Sequence, residues 1–206
     1  MSAIAVTGTD TGVGKTVFAA ALTVALGASY WKPVQAGLED GSDAASVETL
    51  GVPRARIVPE AYRLTTPCSP HRAAELDGVA IDPARLALPR MDGYLVVEGA
   101  GGALVPLTRD WLFADQIARW ACPTVLVART ALGTINHSLL SIEALRARGV
   151  SLLGVAFVGD AQEDSEATIA AVGGVRRLGR LPLLPRLDAA ALAAAFAASF
   201  DTAAFR

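Results

Sequence analysis

The chain has 206 residues, 52% of them hydrophobic, and a formal net charge of -2, with a pI near 5.7. That length suits one domain, residues 1–206, with a sizeable core, and no stretch approaches the roughly 18 uninterrupted apolar residues of a membrane span. No dense Lys/Arg cluster marks a nucleic-acid footprint, and two cysteines, Cys68 and Cys122, without ligand spacing fit reduced thiols in a cytoplasmic protein rather than a disulfide framework.

The first predicted strand, residues 3–7, opens the chain where an export signal would need a basic segment and an apolar stretch, so export is not expected. It runs into Gly8-Thr9-Asp10-Thr11-Gly12-Val13-Gly14-Lys15-Thr16, followed by a predicted helix over 15–26. A glycine-rich turn between strand and helix presents backbone N–H groups and a helix N-terminus to phosphate oxygens. Gly12, Val13 and Gly14 supply that backbone, Lys15 reaches the β/γ-phosphates of a nucleoside triphosphate, and the Thr16 hydroxyl takes a Mg²⁺ position. The glycine at position 8 makes the loop one residue longer than the usual pattern, a G-x5-G-K-T form.

A second strand is predicted over 29–34, with Lys32 near its end in Tyr30-Trp31-Lys32-Pro33-Val34. In an open parallel sheet, ligands gather beyond the carboxyl ends of the strands, so Lys32 is expected on the same rim as the loop. Two lysines near one triphosphate stabilise charge on the transferring phosphoryl group and on an anionic acceptor. Gly41-Ser42-Asp43 precedes a predicted helix over 42–50, and either Ser42 or Asp43 can cap it. The segment 53–88 holds Pro59, Pro67, Pro70 and Pro83 and reads as an irregular excursion over the ligand face, with one helix predicted over 83–88.

The strand predicted over 93–98 is apolar until it ends in Glu98, followed by Gly99-Ala100-Gly101-Gly102. A carboxylate in that place can hold Mg²⁺ directly or through water. Further strands are predicted over 124–128, 152–158 and 175–181, and helices over 113–120, 135–148, 163–172 and 188–200, with Gly149 as a stop and Asp188 as a cap. Alternation of strand and helix predicts a three-layer α/β domain with a mostly parallel, doubly wound sheet, of the P-loop NTPase kind.

Taken in order, the loop, Lys32-Pro33-Val34, Gly41-Ser42-Asp43, Pro67-Cys68-Ser69-Pro70-His71, Glu98-Gly99-Ala100-Gly101-Gly102 and Gly133-Thr134-Ile135-Asn136-His137 resemble the dethiobiotin synthetases. The resemblance implies ATP-dependent ring closure of 7,8-diaminopelargonic acid with CO₂ (or bicarbonate as its source), through a carbamate and a mixed carbamic–phosphoric anhydride. It implies phosphate and carbamate contacts from Thr11, Lys15 and Lys32, and Mg²⁺ held by Thr16, Asp43 and Glu98. Gly101 would lie near the nucleotide, and Gly159 and Pro182 near its base. Ser69, Pro70 and His71, with Thr134, Ile135 and Asn136, would wall the diamine's chain and carboxylate. A homodimer with the substrate tail near the subunit interface is also implied.

Two positions depart from the family. Ala36 stands at the substrate site where a serine is common, leaving a carbamate contact to backbone or to Gln35. Gly159 replaces an asparagine that reads adenine in some members, so nucleoside triphosphates other than ATP come into question. A rival reading, the P-loop switch ATPases of partition and division sites, needs a signature lysine where this chain has Asp10. Amidating relatives with a glutaminase domain need more chain than 206 residues.

Overall fold

The computed structural model describes residues 2–39 and 41–206. Its strands are β1 (Ser2–Gly8), β2 (Ser29–Trp31), β3 (Val34–Ala36), β4 (Ile57–Val58), β5 (Tyr62–Leu64), β6 (Tyr94–Glu98), β7 (Thr124–Arg129), β8 (Leu152–Val158) and β9 (Arg177–Leu181). The helices are α1 (Lys15–Leu26), α2 (Asp43–Thr49), α3 (Pro70–Leu76), α4 (Phe113–Trp120), α5 (Thr134–Arg146), α6 (Glu163–Gly173) and α7 (Ala189–Ser199). Seven strands form one sheet in the order β4-β2-β6-β1-β7-β8-β9, parallel at every pairing. This is the expected doubly wound α/β architecture.

Alternation along each strand divides the core in two. Ile4, Val6, Tyr30, Val96, Val125 and Val127 point to one face, where Phe18, Leu22, Leu192 and Phe196 cover them. Ala3, Ala5, Trp31, Leu95, Val97 and Leu126 point to the other, against Phe113, Ile117, Ile142 and Ile169. Phe18 of α1 meets the Phe196 ring of α7 at 5.9 Å and the Phe200 ring just beyond it at 5.4 Å. Each buried phenylalanine contributes about 1.5–3 kcal/mol. The last helix is started by Asp188, whose side chain accepts from the Ala191 N–H at 2.9 Å.

The structure corrects three sequence expectations. The second strand does not run through residue 34: Pro33 has no N–H to give to the ladder, so β2 ends at Trp31 and β3 restarts in a separate two-stranded sheet with β5. Lys32 is thereby lifted off the sheet end. The helix over 83–88 is only a 3₁₀ turn, Pro83–Leu86. The excursion over 53–88 is not irregular, since it carries β4, β5 and α3, with Pro70 at the first turn of α3, where a missing N–H costs nothing.

Register brings the chemistry together. Val6 pairs with Glu98 and Trp31 with Val97, so the phosphate loop, Lys32 and Glu98 leave adjacent strands at the same carboxyl edge.

Candidate functional site

The loop after β1 turns on Gly12 (φ 71) and Gly14 (φ 92), in left-handed conformations that favour glycine. Gly14 caps α1 without any side-chain hydrogen bond to the helix, so the first amides of α1 face the loop free of a capping side chain. A Cβ on Gly8 would come within 2.9 Å of Lys15 Cδ; the bare backbone there is what lets Lys15 lie across the loop. Lys15 is 6% exposed, and its Nζ donates to the Asp10 carbonyl at 2.7 Å. Burial lowers its pKa to about 8, with the Glu98 charge opposing that shift and Lys32 adding to it.

Thr16 Oγ1 lies 2.8 Å from Asp43 Oδ1 and 2.7 Å from Glu98 Oε1. A hydroxyl has one proton, so it can serve only one of two ionised carboxylates at a time. The arrangement therefore calls for a cation among these oxygens. Lys32 supplies one positive charge: its Nζ bonds Asp43 Oδ2 and sits 3.4 Å from Glu98 Oε1. Burial pulls the Lys32 pKa down, but Glu98 and Asp43 outweigh it and leave the ammonium favoured. Asp43 shows the complementary balance, with burial raising its pKa and Lys32 and Thr16 pulling it below the ordinary value. The donors are all oxygens, one hydroxyl and two carboxylates, a hard set suited to Mg²⁺.

Two residues hold this cluster in ways the sequence did not indicate. Tyr30, fully buried in β2, donates its phenol to Glu98 Oε2 at 2.8 Å. Burial and the Glu98 charge raise its pKa well above the ordinary tyrosine value, so the phenol stays a donor. Gln35 accepts the Asp43 N–H at 3.1 Å and donates to the Gly37 carbonyl at 2.9 Å. Its amide is tied to the backbone at both ends, so of the two groups considered for the contact beside Ala36, backbone and Gln35, the second is already engaged in the free protein. Ser42, not Asp43, caps α2, through the Ala45 N–H at 3.2 Å, and the Asp43 carboxylate is left for the cluster.

The cluster opens into a cavity of about 610 Å³ that Thr11, Gly12, Gly14, Ala36, Ser69, Pro70 and Gly101 also line. A second cavity, of about 510 Å³, shares Gly12, Gly14 and Val17 with it and is lined further by Val13, Gly159 and Pro182. A phosphate chain laid over the loop would connect the two, with a base in the second.

The remaining expected residues lie elsewhere in one chain. His71 is tied to Ser69, Nδ1 to Oγ at 3.0 Å, and is not on the cavity wall. Thr134 donates its hydroxyl to the Arg129 carbonyl, Ile135 packs on the core and Asn136 is exposed. Within one chain these three line neither cavity.

Residues 2–191 match the family model described as "AAA domain". The chain is 70% identical over 201 residues to the ATP-dependent dethiobiotin synthetase BioD of Novosphingobium aromaticivorans, covering 97% of each chain. It is 66% identical over 200 residues to the protein of the same description from Rhizorhabdus wittichii, covering 97% of this chain and 96% of that one. Among solved structures, the MinD cell division protein of Aquifex aeolicus superposes with a TM-score of 0.56 at 16% identity, over 95% of this chain and 87% of that one. That last likeness speaks for the fold.

Proposed function

The chain belongs to the dethiobiotin synthetase family, and on that premise we propose how its residues divide the reaction. It uses ATP to close the ureido ring of dethiobiotin on 7,8-diaminopelargonic acid with CO₂, releasing ADP and phosphate. The observation that supports the residue assignment best is the position of Lys32, held between Asp43 and Glu98 beside the phosphate loop.

One amine of the substrate adds to CO₂ and loses a proton, giving a carbamate. A carbamate oxygen attacks the γ-phosphorus, and the bond from that phosphorus to the β-bridging oxygen breaks as ADP leaves. The neighbouring amine then attacks the carbamoyl carbon, the carbon–oxygen bond to phosphate breaks, and the amine's surplus proton departs with solvent or phosphate. Every intermediate carries negative charge beside the triphosphate, so the chain's task is positioning and neutralisation.

Backbone amides of residues 12–16 hold the phosphates, and Lys15 leaves the Asp10 carbonyl to meet the β/γ oxygens. Thr11 reaches the phosphoryl group from the rim. Lys32 faces carbamate and γ-phosphate together, stabilising charge on both as the bond forms. Thr16, Asp43 and Glu98 would hold Mg²⁺, which would supply charge neutralisation for the phosphates. Ser69 and Pro70 lie against the diamine chain, with His71 behind them, bonded to the Ser69 hydroxyl. Because Thr134, Ile135 and Asn136 stand off the cavity in one chain, their contact with the substrate tail requires a second copy, which favours a homodimer. We infer a cytoplasmic enzyme whose other partners are small molecules; among the described residues no helix is long and apolar enough to cross a membrane.

The test is to incubate purified protein with diaminopelargonic acid, bicarbonate, Mg²⁺ and ATP, following dethiobiotin by mass spectrometry and phosphate release in parallel. Ring-closed product should require both diamine and bicarbonate, and Lys32→Ala should lower turnover by roughly two orders of magnitude or more. Phosphate released without diamine would instead favour the switch-ATPase reading.

A further inference from the structure

At the base end of the nucleotide site, β7 and β8 finish side by side, and the Thr130 N–H donates to the Val158 carbonyl at 3.2 Å. The Thr130 side chain turns toward Gly159. Its hydroxyl oxygen lies 2.3 Å from the point where a Cβ on Gly159 would sit, and Gly159 has φ +136. A side chain at position 159 would strain the backbone and force the Thr130 hydroxyl to move, because the hydroxyl occupies that volume.

Thr130 is 8% exposed and lines the 510 Å³ cavity. Its hydroxyl takes part in none of the side-chain hydrogen bonds among the described residues, unlike Thr124 at the start of β7 and Thr134 at the start of α5. Around it the wall is mostly apolar, with Val158, Leu181, Pro182 and Leu184, and also carries Arg129, Asp160 and Gln162. The nearby Gly159 N–H is already spent on the Leu181 carbonyl at 3.0 Å, and Pro182 has none to offer. The Thr130 hydroxyl is not among the buried atoms left without a partner, so its oxygen is open to the cavity, and a few placed polar groups in a largely apolar pocket are what orient a ligand.

We propose that the Thr130 hydroxyl hydrogen-bonds the heterocycle of the bound nucleoside triphosphate without selecting one base over another. The inference rests on the nucleotide-dependent reading above. A hydroxyl rotates, donating to a ring nitrogen or carbonyl and accepting from an exocyclic amine. The site therefore accepts adenine, cytosine and guanine nucleotides with affinities within about tenfold of one another, since a hydroxyl that can turn leaves no group unpaired with any of them.

Calorimetric titration of the whole protein, without diamine, separates the possibilities. The probes are the Mg²⁺ complexes of ATP, CTP, GTP and inorganic tripolyphosphate, which has no base. Thr130→Val and Thr130→Ala should weaken each nucleotide by about 5–10-fold, the loss of one hydrogen bond, and leave tripolyphosphate unchanged. Thr130→Ser should behave as the parent. Equal loss for tripolyphosphate and nucleotides, nucleotide binding indifferent to the hydroxyl, or a parent preference for one base above about a hundredfold would each overturn the proposal. If tripolyphosphate and nucleotides all fail to bind the parent protein, the nucleotide reading itself falls; if they bind and only Thr130 proves inert, this inference alone is lost.

Discussion

At the phosphate end of the site, Lys32, Asp43, Glu98, Thr16 and Tyr30 are cross-linked into one polar cluster. At the base end the walls are mostly apolar, with Val158, Leu181, Pro182 and Leu184, joined by the Thr130 hydroxyl and by Arg129, Asp160 and Gln162, which are not cross-linked into a cluster like that at the phosphate end. The first is positioned by directional contacts, each group fixing the next; the second is positioned by shape. Changes of a single atom should therefore be felt strongly at one end and weakly at the other. The sharpest way to break that comparison is Glu98→Gln, which keeps the shape and removes the charge. It deprives Lys32 of half its counter-charge and Mg²⁺ of a carboxylate, and kcat/KM should fall about a thousandfold. Activity within tenfold of the parent across a Mg²⁺ titration would show that the cluster is not where phosphoryl transfer occurs.

Tyr30→Phe probes the same end by one hydrogen bond. Glu98 Oε2 is buried and loses its donor, and a hydrogen bond to a charged group is worth about 1.5–3 kcal/mol. Freed from the phenol, the carboxylate can turn away from Thr16, so the concentration of Mg²⁺ needed for half-maximal activity should rise about tenfold. Direct Mn²⁺ binding with a non-hydrolysable ATP analogue should weaken in step, while KM for the diamine stays put. An unchanged metal requirement would mean that Tyr30 only fills the core.

The contrast between the ends is also a contrast in what could be read beforehand. Lys15, Thr16 and Glu98 announced themselves because a phosphate loop and a carboxylate ending an apolar strand have few other uses. Asp43 could have been a cap from spacing alone; it took the family likeness to propose it as a ligand, and the structure puts the cap on Ser42. Tyr30 was overlooked, though a signal existed. It pairs with Val96, so it shares a face with Glu98 two residues on, and a phenol in a buried strand needs an acceptor. The hydrogen bonds of Gln35 to Asp43 and Gly37 could not be read beforehand, because the break at Pro33 that redirects the chain was read as continuous strand. Helix α3 was missed inside a proline-rich stretch, where Ser69-Pro70 was in fact its start. Thr130 left no trace in any motif. Its role depends on the packing of two strand ends that only the fold brings together.

The smallest effect expected is at Leu183. It lines the base cavity yet is 64% exposed in the free protein, so it holds nothing in place and can gain burial only when a base lies against it. Cutting it to alanine removes a few apolar carbons from that contact, worth at most about 1 kcal/mol of covered area. KM for ATP should rise two- to fivefold, an estimate that follows from about 1.4 kcal/mol per tenfold. The same change should appear for CTP and GTP, because an aliphatic surface does not distinguish their edges, and kcat should hold because the loop, Lys32 and the carboxylate cluster position the triphosphate without the base end. Steady-state kinetics with the three nucleotides checks all of this at once. A fall in kcat would mean that the base end helps to set the phosphates, and the separation drawn between directional and shape-built ends would have to be abandoned.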